Sequence, residues 1–290
     1  ISIAMVRDSY SGDYMARIMS FITVVFILVP IIAPALGKFV LDNYNWQAIF
    51  YVQLVFCILV SLWFWKRQPE TLPVEKRVRF TSHIFADGLK ELMKYQRTIG
   101  YTFISGFITG SFMVYLSSAQ QIFHNQYSLQ EEFPFIFAGL AISIGSATFL
   151  NGTLVLRFGM ERIINTSVIS YFFISLVYIV LFYNTPNPPV VILLTFFALQ
   201  FFAIGFLFGN VRAMAMEPIG HIAGIGAAIT GFISTMMAVP ISIYIGKFVD
   251  QRALPLFIGF VICSFLSLLI IIYLRLDRKT RERKILRNLS

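Results

Sequence analysis

The chain has 290 residues, of which 58% are hydrophobic and only 13% are charged, and its net charge at pH 7 is +9. A mean hydropathy of +0.77 excludes a water-soluble domain, because no soluble chain of this size carries so many unbroken apolar runs. The positive charge is interpreted as a signal of membrane topology, and nucleic-acid binding is the weaker interpretation.

Eight apolar runs are long enough to cross a bilayer as helices, since crossing the hydrocarbon core takes about 20 residues. The predicted spans are 18–41, 48–65, 99–121, 133–156, 163–184, 188–210, 221–246 and 253–274. Membrane strands are excluded, because each run is about twice the length of a barrel strand and lacks alternation. The predicted fold class is therefore all-α, a polytopic membrane protein.

Lys and Arg fall very unevenly on the two sides of these spans. One side holds both chain ends and the segment 66–97, and the other has only Lys38, Lys247 and Arg252 of the 23 basic residues. Since basic loops stay in the cytoplasm, both ends of this chain and the segment 66–97 are predicted to be cytoplasmic.

Patterns typical of an enzyme or a metal site are missing from the sequence. Cys57 and Cys263 both fall inside apolar spans and are predicted to be buried packing residues. The histidines lie near connectors, and there is no His-Glu-x-x-His motif, no paired intramembrane carboxylate and no phosphate-binding glycine loop. We therefore predict that the protein is not an enzyme, not an ATP-driven pump and not metal-binding.

The interior of the six C-terminal spans is predicted to be neutral. Between about 99 and 274 no charged residue lies near the middle of a span, although charges at bilayer depth mark ion pathways. The predicted cavity residues are Tyr115, Gln120, Gln121, Asn151, Gln200 and Asn210. Together with the 31 phenylalanines they suit a large amphipathic molecule. The alternative for each polar residue is an interhelical hydrogen bond.

Small residues recur at four-residue spacing in three spans. The pairs are Gly106/Gly110, Gly205/Gly209 and Gly224/Ala228, the last leading to Gly231. Such spacing predicts close approach of helix backbones, either as static packing or as a sliding contact.

Five stretches resemble a known family in the right order along the chain. They are residues 5–12 (MVRDSYSG), 29–37 (VPIIAPALG), 46–50 (WQAIF), 70–73 (ETLP) and 216–224 (MEPIGHIAG). These resemble the bacterial drug–proton antiporters of the major facilitator superfamily, and within it the bicyclomycin-resistance (Bcr/CflA) group. Gln47 and Lys38 depart from the group's pattern, which has Arg and Gly there.

The resemblance implies a major-facilitator-type bundle, with about eight transmembrane helices present of an expected twelve and the first helices missing. Two alternatives remain open: a native eight-helix protein, and a truncated, non-transporting membrane protein from a disrupted gene. The predicted domains are a partial N-terminal bundle (1–66), a central cytoplasmic loop (67–97), a C-terminal six-helix bundle (98–275) and a basic cytoplasmic tail (276–290).

Pro30, Pro34 and Gly37 match the family's antiporter motif. The prolines bend a helix because each removes a backbone donor. In the family this motif packs the fifth helix against the eighth and controls sealing of the cavity. The alternative is an ordinary proline kink.

A second set of residues is implied to act in the cytoplasmic gate and loop motifs, or alternatively to mark only the membrane border. These residues are Arg7, Asp8, Arg17, Gly159 and Arg162. The acidic residue of the family's first helix and the arginine of its fourth, which are the usual centres of proton coupling, have no counterpart that can be mapped onto this sequence.

The function implied by the resemblance is secondary active efflux of small molecules by proton-coupled antiport, through alternating access. The expected partners are an amphipathic substrate, protons and the lipid bilayer, without nucleic acid, in a monomer of the bacterial inner membrane. The proton gradient is the expected energy source, and no cofactor is implied. The 290-residue chain alone is predicted not to couple transport to protons.

Overall fold

The computed structural model describes residues 29, 32, 33, 35–69, 83–185, 187–249 and 252–289. For His221, Ala223 and 279–289 it describes the backbone only. Within these ranges the regular structure is helical throughout, without a strand. The predicted all-α class is therefore confirmed.

A helical segment at 35–43 precedes eight helices. These are α1 (Trp46–Arg67), α2 (His83–Met93), α3 (Gln96–Gln121), α4 (Phe133–Phe158), α5 (Met160–Phe182), α6 (Val190–Met216), α7 (Ala223–Gly246) and α8 (Leu254–Leu289). Among the described residues, seven helices are long and apolar enough to cross a membrane, namely α1 and α3–α8. Seven of the eight predicted spans are thus confirmed, and the first, 18–41, lies largely outside the described residues.

The chain divides into two compact units, residues 1–81 with 134–142, and residues 82–133 with 143–290. This division does not test the predicted domain limits, which stay predictions. In the smaller unit, Asn45 caps the start of α1. Its side chain accepts a hydrogen bond from the backbone N–H of Ala48 at 3.1 Å. None of the residues of α1 is buried.

The expectation that both cysteines are buried is wrong for Cys57. Cys263 is buried, whereas Cys57 is exposed. The physical reason is that α1 is apolar on all sides and buries none of its side chains, so an apolar context does not imply a protein contact there.

In the larger unit, α3 packs against α6, α7 and α8, and α5 packs against α6 and α8. A Cβ atom on Gly106 would lie 2.8 Å from Met237 Sδ, and one on Gly110 would lie 3.2 Å from the Cα atom of Ala238. These two glycines therefore let α3 and α7 approach closely.

The other predicted glycine contacts have mixed outcomes. A Cβ atom on Gly205 would lie 2.6 Å from the carbonyl oxygen of Ile144, so α6 and α4 touch there. Among the described residues, no atom lies within 4 Å of a Cβ built on Gly209, Gly224 or Gly231. At those three positions the described helices show no close packing, because spacing identifies a helix face but not the face that meets a neighbour.

The connectors of the larger unit gather at two ends. At one end Arg97 pairs with Glu217 and Arg278 pairs with Glu161, both at 3.5 Å. At the other end the Tyr127 hydroxyl donates to the carbonyl oxygen of Pro188 at 2.7 Å. Burial raises the pKa of Tyr127 to about 12, so this donor stays neutral. The basic connectors that the charge pattern assigns to one side thus lie at one end of this unit.

The segment 67–97 contains α2, a helix that the sequence analysis did not predict. It packs on α7, because a Cβ atom on Gly88 would lie 3.0 Å from Ile229 Cδ1. Leu92 is buried in a cluster with Ile219 and Ile229. The connector therefore carries an amphipathic helix that is attached to the larger unit.

Candidate substrate-binding site

Tyr115 lies in an aromatic core between α3 and α6, and it is only 1% exposed. Its ring centroid lies 4.6 Å from that of Phe201 and 5.1 Å from that of Phe197, both in edge-to-face geometry. Phe197 and Phe201 share one face of α6 because they are four residues apart. We define the aromatic core as Tyr115, Phe197, Phe201, Tyr178 and Phe257.

The aromatic core continues toward α5 and α8. Tyr178 on α5 stacks on Phe257 of α8 with ring centroids 3.6 Å apart, and Phe257 lies 5.3 Å from Phe197. Aromatic pairs of this kind are worth about 0.5–1.5 kcal/mol beyond the area they bury. Four helices of the bundle are thus joined by stacked and edge-to-face rings.

A buried polar cluster lies on the same helices. We define the Gln200 cluster as Ser111 of α3, Tyr171 and Ser175 of α5, and Gln200 of α6. The Tyr171 hydroxyl donates to Ser111 Oγ at 3.0 Å, and Gln200 Nε2 donates to Ser175 Oγ and, at 3.2 Å, to the Tyr171 carbonyl oxygen. All four side chains are fully buried.

The Gln200 cluster has one polar atom that is unsatisfied among the described residues. Gln200 Oε1 is buried and accepts no hydrogen bond from any of them. An unsatisfied buried polar atom costs about 1–3 kcal/mol, and such exceptions often mark function. The arrangement therefore offers a neutral acceptor beside aromatic rings, which fits a ligand with an apolar body and a hydrogen-bond donor.

Asn151 and Asn210 form a reciprocal pair between α4 and α6. Asn210 Nδ2 donates to Asn151 Oδ1 at 2.6 Å, and Asn151 Nδ2 donates back to Asn210 Oδ1 at 3.4 Å. One turn away, Thr148 Oγ1 donates to the Gly205 carbonyl oxygen at 3.3 Å. This is the interhelical hydrogen bond that the sequence analysis kept as the alternative, and a cavity role for the pair stays a prediction.

The six predicted cavity residues are not brought together in one place. Gln120 and Gln121 are exposed at the end of α3, just before a π-helical turn at Ile122–Gln126. Tyr115 lies in the aromatic core, Gln200 in its own cluster, and the two asparagines pair elsewhere. Ser111, Tyr171 and Ser175 were missed, although Tyr171 and Ser175 share one face of α5 through their four-residue spacing.

The predicted gate and motif residues are only partly described. Arg7, Asp8, Arg17, Pro30 and Pro34 lie outside the described residues. Among the described residues, no atom lies within 4 Å of a Cβ atom built on Gly37.

Gly159 and Arg162 lie at the tight connection between α4 and α5. Gly159 has φ +78°, in a region that favours glycine, and it ends α4 directly before α5 begins. Arg162 is exposed and lines a cavity of about 370 Å³ with Phe158 and Phe206. The gate roles of these residues stay predictions.

Comparison with known proteins gives a family match and several curated relatives. The family model described as Major Facilitator Superfamily matches residues 1–239. The bicyclomycin resistance protein homolog of Haemophilus influenzae is 25% identical over 272 residues, which cover 93% of this chain and 67% of that protein. The MFS-type transporter YdgK of Bacillus subtilis is 26% identical over 253 residues, covering 85% of this chain and 61% of that protein.

A third relative, the multidrug resistance protein MdtL of Salmonella typhimurium, is 22% identical over 293 residues, covering 98% of this chain and 70% of that protein. The chain thus spans about two thirds of the length of these relatives.

Proposed function

The chain belongs to the major facilitator superfamily, and from this premise we propose that it acts in the efflux of amphipathic small molecules by proton-coupled antiport. The resemblance to the bicyclomycin-resistance group is confirmed by the relatives. The protein is a multi-pass membrane protein of a transporter family and not an enzyme. We place it in the bacterial inner membrane, as a monomer with both ends of the chain in the cytoplasm.

The observation that carries this proposal is the chemistry of the buried interior. Among the described residues, every buried side chain with a polar group is a Ser, Thr, Asn, Gln, Tyr or Cys, and none is charged. A neutral interior lined by rings and amides supports an apolar substrate with few hydrogen bonds, because binding a strongly charged solute requires opposite charges. Two relatives are named for resistance to bicyclomycin or to several drugs.

Alternating access requires each bundle to move as one body. The contacts between α3, α4, α5 and α6 support this, because the Gln200 cluster and the Asn151–Asn210 pair join these helices by side-chain hydrogen bonds. The interior of the larger unit has no described buried acid that binds the coupling proton. We infer that proton coupling resides in the family's first helices.

Binding and transport measurements test separate parts of the proposal. The purified 290-residue chain is titrated with a neutral aromatic compound and with an uncharged sugar, and thermal unfolding is followed. We expect the aromatic compound to raise Tm and the sugar to leave it unchanged. Protection by the sugar alone contradicts the proposed substrate class.

In everted vesicles containing the chain, an imposed proton gradient is expected to drive no accumulation of a fluorescent amphipathic cation. The control is vesicles without the protein. Gradient-driven accumulation above this control would overturn the assignment of proton coupling to the family's first helices.

A further inference from the structure

A second cavity, of about 530 Å³, lies at the end of the larger unit that carries the basic connectors. It is formed by the start of α3, the start of α5, the turn after α6 and the middle of α8. Four basic side chains line it: Lys94, Arg97, Arg275 and Arg278. None of its lining residues belongs to the aromatic core or to the Gln200 cluster.

The ion pairs across this cavity are loose. Arg97 Nη2 lies 3.5 Å from Glu217 Oε2, and Arg278 Nη1 lies 3.5 Å from Glu161 Oε2, with all four side chains partly exposed. Exposed pairs of this kind contribute about 0–1 kcal/mol each. A guanidinium carries five N–H donors, so Arg97 retains donors for a further anion.

Arg275 makes no ion pair with any part of the chain that the structure describes. Close to it, Tyr101 is only 5% exposed and lines the same cavity as Arg97. Arg275, Arg97 and the Tyr101 hydroxyl therefore present donors from two helices to the same space. Guanidinium groups bind phosphate oxygens in a bidentate manner, which makes such a set suited to a phosphate.

Lys94 has a different role. Its Nζ atom lies 2.7 Å from Glu91 Oε2, and this hydrogen bond raises the pKa of Lys94. The lysine therefore stays positive, but its ammonium group is already engaged by a carboxylate of α2. It adds to the local positive charge and leaves the arginines as the main donors.

We propose that this cavity binds a phosphate-bearing anion, and that the anion is the headgroup of a membrane lipid. Four basic residues face three carboxylates, those of Glu161, Glu217 and Asp277. Because Lys94 is already paired with Glu91, three arginines and three carboxylates remain in the lining, and this near balance suits a phosphodiester with one negative charge better than a polyphosphate. Basic pockets between helices at the cytoplasmic side are typical sites for anionic headgroups.

The wall of the cavity also favours a lipid over a free ion. Ile271 and Leu274 of α8 line it beside the charged groups. An acyl chain or glycerol backbone has apolar surface to place against these side chains, whereas inorganic phosphate has none. A bound headgroup would bridge α3 and α8 through Arg97 and Arg275 and stabilise this end of the unit.

The test uses the full chain purified in detergent and measures lipid retention by native mass spectrometry and Tm on titration. The probes are phosphatidylglycerol, phosphatidylcholine and inorganic phosphate. We expect phosphatidylglycerol to bind in a one-to-one ratio and to raise Tm, and phosphatidylcholine to do neither. Saturable binding of inorganic phosphate at a similar concentration would support a phosphate site but overturn the lipid as its ligand.

The variants separate the cavity from general surface charge. Arg275→Gln is expected to weaken phosphatidylglycerol binding by about tenfold, the loss of one charged hydrogen-bonding group. Arg212→Gln is the matched control. Arg212 is exposed near the C-terminal end of α6, next to the turn that borders the cavity, but it does not line the cavity.

Arg275→Lys keeps the positive charge but removes the bidentate guanidinium group. It replaces Arg275→Gln if that variant does not fold, and an intermediate loss of phosphatidylglycerol affinity is expected. Equal losses in Arg212→Gln and Arg275→Gln, or no binding by the unmodified chain, would overturn the proposal.

Discussion

α1 and α3 are both long enough to cross a membrane, yet they differ completely in burial. α1 is the more apolar of the two and buries none of its residues, whereas α3 is less apolar and is mostly buried. The glycines, serines and threonines that lower the hydropathy of α3 are the residues that let other helices contact it. In this pair, apolarity predicts contact with lipid, and small or polar residues predict contact with protein.

The largest effect is expected from a bulky residue on the buried face of α3. Gly110→Leu places side-chain atoms against the backbone of Ala238, so α3 and α7 must separate. We expect destabilisation by about 1–3 kcal/mol, the usual cost of overpacking, measured as a lower Tm in detergent. Cys57→Leu on the exposed α1 is the control, and an equal drop in Tm for both variants would break the comparison.

An intermediate effect is expected where two helices share a hydrogen bond. Asn210→Ala removes both bonds of the reciprocal pair with Asn151, at a cost of about 0.6–1.7 kcal/mol, the range measured for interhelical hydrogen bonds. A double-mutant cycle with Asn151→Ala measures the coupling. Strictly additive losses would show that the pair does not join α4 to α6.

A smaller effect on stability, but a clear one on binding, is expected at Gln200. Gln200→Leu removes the unsatisfied Oε1 atom along with its donors, so these changes offset each other and Tm changes little. Affinity for an amphipathic dye is expected to fall by about tenfold, the loss of one hydrogen bond. Gln53→Leu on α1 is the matched control, and unchanged dye binding in Gln200→Leu contradicts the assigned role.

The mildest experiment changes no residue. N-ethylmaleimide is small and apolar, so it reaches exposed thiols within a detergent micelle. We expect the native protein to bind one equivalent, at Cys57, and a second after unfolding in sodium dodecyl sulfate, at the buried Cys263. Two equivalents bound by the native protein would show that α8 is not packed as described.

The spans could be predicted because crossing a bilayer demands a long apolar run, and this demand is visible residue by residue. The grouping of the basic connectors could be anticipated from the uneven distribution of Lys and Arg. In the structure, Arg97 and Arg278 lie at the same end of the larger unit, where they pair with Glu217 and Glu161.

The partners of each helix could not be predicted in this way. Cys57 and Cys263 both sit in apolar runs, yet only Cys263 is buried. Gly205 and Gly209 share a face by spacing, yet among the described residues only Gly205 meets a neighbour. Gln200 was identified as an isolated polar residue, but its partners on α3 and α5 depend on packing between segments far apart in sequence.

The uncharged interior of the larger unit has an electrical consequence. Moving one elementary charge across the membrane is worth about 2.3 kcal/mol per 100 mV. Because the buried side chains described in this unit carry no formal charge, movement of its interior carries no side-chain charge through the field. Under the proposed antiport mechanism, any voltage sensitivity then arises from the proton, from the substrate or from charges outside this interior.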